Sequence, residues 1–363
     1  MTTRIKPQPG VMSIQLYEGG KGHIQGQSNT VKLSSNENPW GASEGAKQAY
    51  QSLAGELHIY PCSDHAALRT AISEVHNVDA ERVICSNGSD ELISLLCQAY
   101  AGAGDEVLFT EHGFLMYKLC AQAAGATPVA VSEIERCTDV DALLNATNEN
   151  TKLVFIANPN NPTGTMISEK DVARLADGLP DHTLLVLDGA YAEFVEGFDG
   201  HAGLVDERKN VFMTRTFSKI YGLGGLRLGW GYGPAEIINT LHRIRGPFNV
   251  NAGVLAAGEA AVRDMNYTSN CRKINLQWAE FLRENLLSIG IACDVSQTNF
   301  VLARFGSEAE ADAADVALAE AGFLVRAVKS YGLAECLRIT VGKGVDCERV
   351  ILVLREFKDG WVA

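Results

Sequence analysis

The stretch TRTFSKIYGLGGLRLGW, residues 214–230, sets Lys219 between an apolar run and a series of glycines. An amine among Phe217, Ile220 and Tyr221 is partly stripped of water, loses its proton more easily than a surface lysine and can attack a carbonyl carbon. Taken alone, such a lysine is more often a stem lying along the surface with its charge in solvent than a catalyst. TLLVLD ends in Asp188; an acid closing an apolar strand either meets a cation or donor that offsets its desolvation, or caps the helix that follows. NPNNPTG holds Asn161 in a loop stiffened by its prolines, which a plain turn also explains. NGSDE opens a helix with Gly88, Ser89 and Asp90, whose backbone N–H groups suit either an anion such as phosphate or an ordinary cap. Thr216, Ser218 and Arg227 complete the polar set around Lys219.

The elements that position these groups follow from periodicity. Between about residues 80 and 235, short β-branched runs alternate with longer helical patterns, the mark of βα units around a mainly parallel sheet. Seven strands are predicted, at 82–86, 106–110, 127–131, 152–157, 183–188, 210–217 and 226–232, with helical patterns such as DELISLLCQAYA and FLMYKLCAQAAG between them. After RGPFNVNAG the pattern turns to long amphipathic helices and then to TNFVLARF, GFLVRAV and CLRITVG, which predict a smaller α+β domain. The expected division is an N-terminal arm over residues 1–30, a small domain from 31–50 and 251–363, and a large α/β domain over 51–250. Open α/β sheets bind ligands beyond the carboxyl ends of their strands, where the polar residues above fall. A reactive lysine, an acid for a pyridinium nitrogen, a donor for a phenolic oxygen and an anion cup are together what pyridoxal phosphate requires.

Composition narrows the alternatives. The 363 residues exceed an ordinary single domain, and 31 basic against 44 acidic residues give a net charge of −13, which disfavours nucleic acid or an anionic membrane as a bulk partner. Nine cysteines form no CxxC pair and the N-terminus has no secretory apolar core, so a reducing cytoplasm is expected. No apolar run reaches membrane-spanning length and the histidines lack ligand spacing, so no metal site is expected. The glycine-rich GLGGLRLGWGYG lacks the G-x-G-x-x-G of a nicotinamide site.

NPNNPTG, LDGAY, TFSK and GLR, with Asn161, Asp188 and Lys219 spaced 27 and 31 positions apart, resemble the fold-type I aminotransferases. Along nearly its whole length the chain is similar to the histidinol-phosphate aminotransferase family, through KLSSNENPWG, IYPCSDHAALR, NGSDE, TRTFSKIYGLGGLRLGW, RGPFNVNA and CLRITVG. The resemblance implies a large domain with a seven-stranded sheet between helices, a homodimer, and pyridoxal phosphate bound to Lys219. It implies that Asp188 keeps the pyridine nitrogen protonated and that Asn161 and Tyr191 bond the phenolic oxygen. Phe114 would stack on the ring, in place of the family's more usual tyrosine. The phosphate would be held by the Ser89 and Asp90 amides at Gly88, by Thr216, Ser218 and Arg227, and by Tyr60 of the partner subunit.

For the substrate, the resemblance points to Arg338 and Arg326 as readers of an anion, since a guanidinium fork accepts phosphate and carboxylate with similar geometry. Tyr17, Asn36 and Phe248 match positions that close over an imidazole. The implied reaction moves the amino group of L-histidinol phosphate to 2-oxoglutarate, giving imidazole acetol phosphate and L-glutamate in histidine biosynthesis. Aromatic amino acid transamination and a non-catalytic cofactor-binding dimer are the alternatives.

Overall fold

The computed structural model describes residues 5–7, 10–14, 16 and 30–361. The chain runs β1 (Val31–Lys32), α1 (Glu44–Ser52), α2 (Ala66–His76), β2 (Val83–Ser86), α3 (Ser89–Tyr100), β3 (Glu106–Thr110), α4 (Leu115–Ala124), β4 (Thr127–Val131), α5 (Val140–Ala146) and β5 (Thr151–Ala157). It continues through α6 (Glu169–Gly178), β6 (Leu184–Asp188), α7 (Ala202–Glu207), β7 (Val211–Thr216), β8 (Gly229–Tyr232), α8 (Ala235–Ile244), α9 (Ala252–Arg263) and α10 (Met265–Ser288). It closes with β9 (Ala292–Cys293), β10 (Phe300–Arg304), α11 (Glu308–Glu320), β11 (Phe323–Leu324), β12 (Arg326–Val328), β13 (Leu333–Thr340) and α12 (Gly344–Gly360).

The seven strands expected between residues 82 and 232 form one sheet in the order β2-β8-β7-β6-β5-β3-β4. It is parallel except for β8, which runs antiparallel to both β2 and β7. The central strands are continuously apolar because helices cover both faces. Alternation along β5 sends Leu153 and Phe155 into the core under α3, α4 and α8, and Val154 and Ile156 into the opposite core under α2, α5 and α6. Side-chain oxygens start the helices where the sequence offers them: Ser168 accepts from the Asp171 N–H at α6 and Asn251 from the Val254 N–H at α9.

A second sheet, β12-β13-β10-β9, and the parallel pair β1-β11 build the smaller domain. The expected break at residue 250 is displaced by the packing. Val250, Val254, Ala257 and Cys271 belong to the core of the large sheet, whereas Ala279 and Leu282 belong to the core of the small one, so the handover falls inside α10. Likewise Leu33 packs with the small domain but Ala46 of α1 with the large one. An amphipathic helix does not say in sequence which of two cores its apolar stripe meets.

Candidate active site

Beyond the carboxyl ends of β5, β6 and β7 lies a cavity of about 350 Å³. Its wall holds Asn36, Ser89, Asp90, Phe114, Asn161, Asp188, Tyr191, Thr216, Ser218, Lys219, Arg227, Arg326 and Arg338. Residues spread over three hundred positions of sequence therefore meet at one place, where the strand ends of the large sheet and the loops after them face the segment after β1 and the strands β12 and β13.

Lys219 follows β7. Its Nζ lies 3.5 Å from the Ser35 carbonyl and 5.6 Å from the centre of the Tyr191 ring, and no carboxylate pairs with it among the described residues. Burial, reinforced by the positive Arg338, pushes its pKa down to about 8. A substantial fraction of the amine is neutral near physiological pH.

Asp188 ends β6 and is buried. It accepts hydrogen bonds from the Tyr117 hydroxyl at 2.8 Å, the Ala190 N–H at 3.1 Å and the Thr214 hydroxyl at 3.3 Å. Burial raises its pKa, and these donors oppose the shift. Among the described residues no cation pairs with it, and a desolvated carboxylate lacking a counter-ion suits a positively charged guest group.

The anion cup forms where α3 begins. Gly88 stands at the N-cap with φ 83° and offers no side chain to the first N–H groups of this twelve-residue helix. Arg227 lies beside it, donating to the Ser218 hydroxyl at 3.0 Å and pairing with the Asp90 carboxylate at 2.8 Å. A Cβ at Gly88 would stand 2.7 Å from the Arg227 guanidinium, and one at Gly229 only 2.4 Å from the Ser89 nitrogen. Two bare backbones thus let the arginine and the helix start converge, an arrangement that fits a phosphate. The amine of Lys219, the buried acid Asp188 and the anion cup at the start of α3 together fit pyridoxal phosphate.

On the remaining walls, Arg338 donates to Asn161 Oδ1 at 2.6 Å and to the Ser34 carbonyl at 2.8 Å. The Asn161 oxygen is therefore occupied, and its Nδ2 is the group left to donate. The Tyr191 hydroxyl accepts from Asn36 Nδ2 at 2.8 Å, and burial pushes its pKa up to about 12, so it keeps its own proton to give. Asn36 also bonds Thr340, which ties the segment after β1 to the small sheet.

Not every residue expected at the site lies at this wall. Phe248, expected over the substrate, does not line this cavity; it is 45% exposed and stacks, with centroids 4.7 Å apart, on Tyr60, which is 79% exposed and expected to reach a partner's cavity. Asp90 contributes its carboxylate to Arg227 as well as its place in the helix start. The Thr216 hydroxyl accepts from the Ser218 N–H and shapes the loop. Tyr17 lies outside the described residues. Sequence reasoning passed over Ser34, Ser35 and Tyr331, which also line the wall, and Tyr117, which stands behind Asp188. The signal for Tyr117 was its position one helical turn after Phe114.

Comparison with known proteins supplies the frame for this geometry. The model of the family "Aminotransferase class I and II" matches residues 28–354. Histidinol-phosphate aminotransferases from Ruegeria sp. and Cereibacter sphaeroides are 59% and 57% identical, each alignment covering 99% of both chains. The crystal structure of histidinol-phosphate aminotransferase from Sinorhizobium meliloti in complex with pyridoxal-5'-phosphate superposes with a TM-score of 0.91 at 26% identity, over 99% of this chain and 98% of that one. Aspartate aminotransferase from Thermus thermophilus, at 19% identity and a TM-score of 0.79, shares the fold. With a lysine, a buried acid and a phosphate cup at the ends of such a sheet, the chain belongs to the class I and II aminotransferases, among the histidinol-phosphate aminotransferases.

Proposed function

We propose that this cavity carries the pyridoxal-phosphate-dependent transfer of the amino group of L-histidinol phosphate to 2-oxoglutarate, giving imidazole acetol phosphate and L-glutamate in histidine biosynthesis. The observation that carries the reading is the convergence of Lys219, Asp188, Arg227 and Arg338 on one small cavity. Bound there, pyridoxal phosphate supplies an electrophilic carbon and a protonated ring that withdraws electrons from the substrate's α carbon.

The chain's own groups do the rest. Arg227, the Ser218 hydroxyl and the N–H groups at the start of α3 hold the cofactor phosphate. Phe114 offers a ring face, Asp188 holds the proton on the pyridine nitrogen, and Tyr191 and Asn161 Nδ2 donate to the phenolic oxygen. Lys219 carries the cofactor covalently through Nζ. Once released by the incoming amine, the same Nζ would take the substrate's α proton and deliver it to the cofactor's electrophilic carbon on the other side of the transferred nitrogen, a task suited to a pKa of about 8. Arg338 and Arg326 read the phosphate of one substrate and the carboxylate of the other.

The same reading makes the protein a homodimer. Leu57, Ile59, Tyr60 and Phe248 expose an apolar edge on a single chain, and in a dimer Tyr60 would complete the partner's phosphate cup. No helix among the described residues is long and apolar enough to cross a membrane. Nine cysteines, none paired, support a place in the reducing cytoplasm.

Lys219→Ala tests the assignment: it is expected to abolish both turnover and the cofactor adduct trapped by borohydride, and retained turnover overturns it. The substrate is tested by comparing kcat/KM for histidinol phosphate and phenylalanine with 2-oxoglutarate as acceptor. A preference for phenylalanine would reassign the site to aromatic amino acids.

A further inference from the structure

The two oxygens of Asp188 are served unequally. Oδ1 accepts from the Ala190 N–H at 3.1 Å and the Thr214 hydroxyl at 3.3 Å, while Oδ2 accepts from the Tyr117 hydroxyl at 2.8 Å, the shortest of the three. Tyr117 is not part of the cavity wall. It is fully buried, stacked on Phe155 with centroids 4.8 Å and planes 11° apart, and set edge-on to Phe114 at 5.9 Å and 87°. A phenol clamped between two rings has its O–H aimed before any ligand arrives. Both aromatic residues belong to the start of α4: Phe114 is its N-cap, and Tyr117 lies within its first turn. One helix end therefore sets a ring in the cavity wall and a donor behind the carboxylate.

We propose that Tyr117 is a positioning residue for the transamination, whose hydroxyl fixes the Asp188 carboxylate in the orientation that meets the cofactor's pyridine nitrogen. The inference rests on the role given to Asp188 in the preceding subsection. A buried carboxylate drifts toward its neutral form, which cannot hold a proton on the ring, and each donor to the anion opposes that drift. Burial also holds the Tyr117 phenol well above its usual pKa, so it remains a donor throughout the working range. The other titratable groups around Asp188 are Asp90 from α3, which disfavours its charge, and Tyr191 and Lys219, which line the same cavity. Tyr117 is thus the strongest of the donors that preserve the anion.

The test compares wild type, Tyr117→Phe and Asp188→Asn as full-length dimers. Affinity of each apoprotein for pyridoxal phosphate is measured against pH, together with the ¹⁵N shift of the labelled ring nitrogen and with kcat and KM. Removing the hydroxyl raises the pKa of Asp188, so the acid limb of cofactor affinity moves up by about one pH unit, a tenfold loss on that limb. The ring nitrogen signal moves toward the unprotonated form, and kcat falls about tenfold with KM nearly constant. A 3-fluorotyrosine at position 117, a stronger donor of almost the same size, moves the acid limb the other way. Curves for Tyr117→Phe that coincide with wild type, beside a damaged Asp188→Asn, overturn the role of Tyr117 and leave that of Asp188 standing. Asp188→Asn binding and signal like wild type overturn the underlying reading. Should the phenylalanine variant fail to fold, the fluorotyrosine protein decides, since an unmoved acid limb overturns the proposal.

Discussion

The cavity around Lys219 and the hollow beside Tyr60 make an instructive pair. The first holds about 350 Å³ and is walled by two aspartates, three arginines and a lysine. The second holds about 780 Å³ between the end of α1, residues 53–61 and the start of α9, and Leu53, Leu57, Ile59 and Tyr60 dominate it, with Glu56 and His58 its only charged or imidazole side chains. The larger space has apolar surface and little chemistry, whereas the smaller gathers opposed charges, of which Arg227 and Asp90 pair with each other. Volume alone would have chosen wrongly. Charge converging on strand ends marks where bonds change, and exposed apolar side chains mark where another surface is to be covered.

Breaking the hollow should have the largest effect. Leu57→Asp places a charge on a residue that is 87% exposed in the single chain and buried in the proposed dimer. Sedimentation should then show monomers and assays almost no activity; a fully active monomer would separate the two regions for good. Within the cavity, Arg338→Lys keeps the charge and loses the fork that spans Asn161 and Ser34, so kcat/KM for histidinol phosphate should fall about 10- to 100-fold, the worth of one or two charge-assisted hydrogen bonds. A smaller change attributes the contact to charge alone.

The pH dependence of Lys219 sharpens the contrast further. Because its folded pKa is lowered to about 8, the neutral amine gains population as pH rises. Cofactor incorporation into the apoprotein should speed up roughly tenfold per unit below pH 8 and level off above it, whereas a lysine of ordinary pKa would keep accelerating past pH 10. The smallest effect belongs to Asn251, which lies at the edge of the hollow and caps α9. Asn251→Ala should cost about 1 kcal/mol in urea unfolding of the holoenzyme and leave kcat unchanged. A lost kcat would tie the hollow to the chemistry directly.

Much of this was legible in sequence because the large sheet is a local affair. Runs such as EVLFT and TPVAV carry their strand signal within five residues, and both strands begin and end where the pattern places them. Polar residues at or after the ends of β5, β6 and β7 are among those that meet in the cavity, so Asn161, Asp188 and Lys219 could be read from strand ends, with Arg227 just ahead of β8. Long-range partners were not legible. Tyr117 sits in an apolar helical stripe where a tyrosine reads as packing, and only the fold brings its hydroxyl to a residue 71 positions later. Ser34 and Ser35 offer backbone carbonyls, which any residue type would supply. The antiparallel course of β8 was hidden as well, because GWGY alternates the same way in either direction.

The small sheet sets two guanidiniums rung to rung: Arg326 and Arg338 are direct neighbours across β12 and β13, and both look into the cavity. Like charges so placed disfavour each other, an effect that the Arg338 bonds to Asn161 and Ser34 oppose. Arrival of a doubly negative guest relieves that tension, so the melting temperature of the small domain should register the valence of whatever is bound, and the sheet acts as its own electrometer.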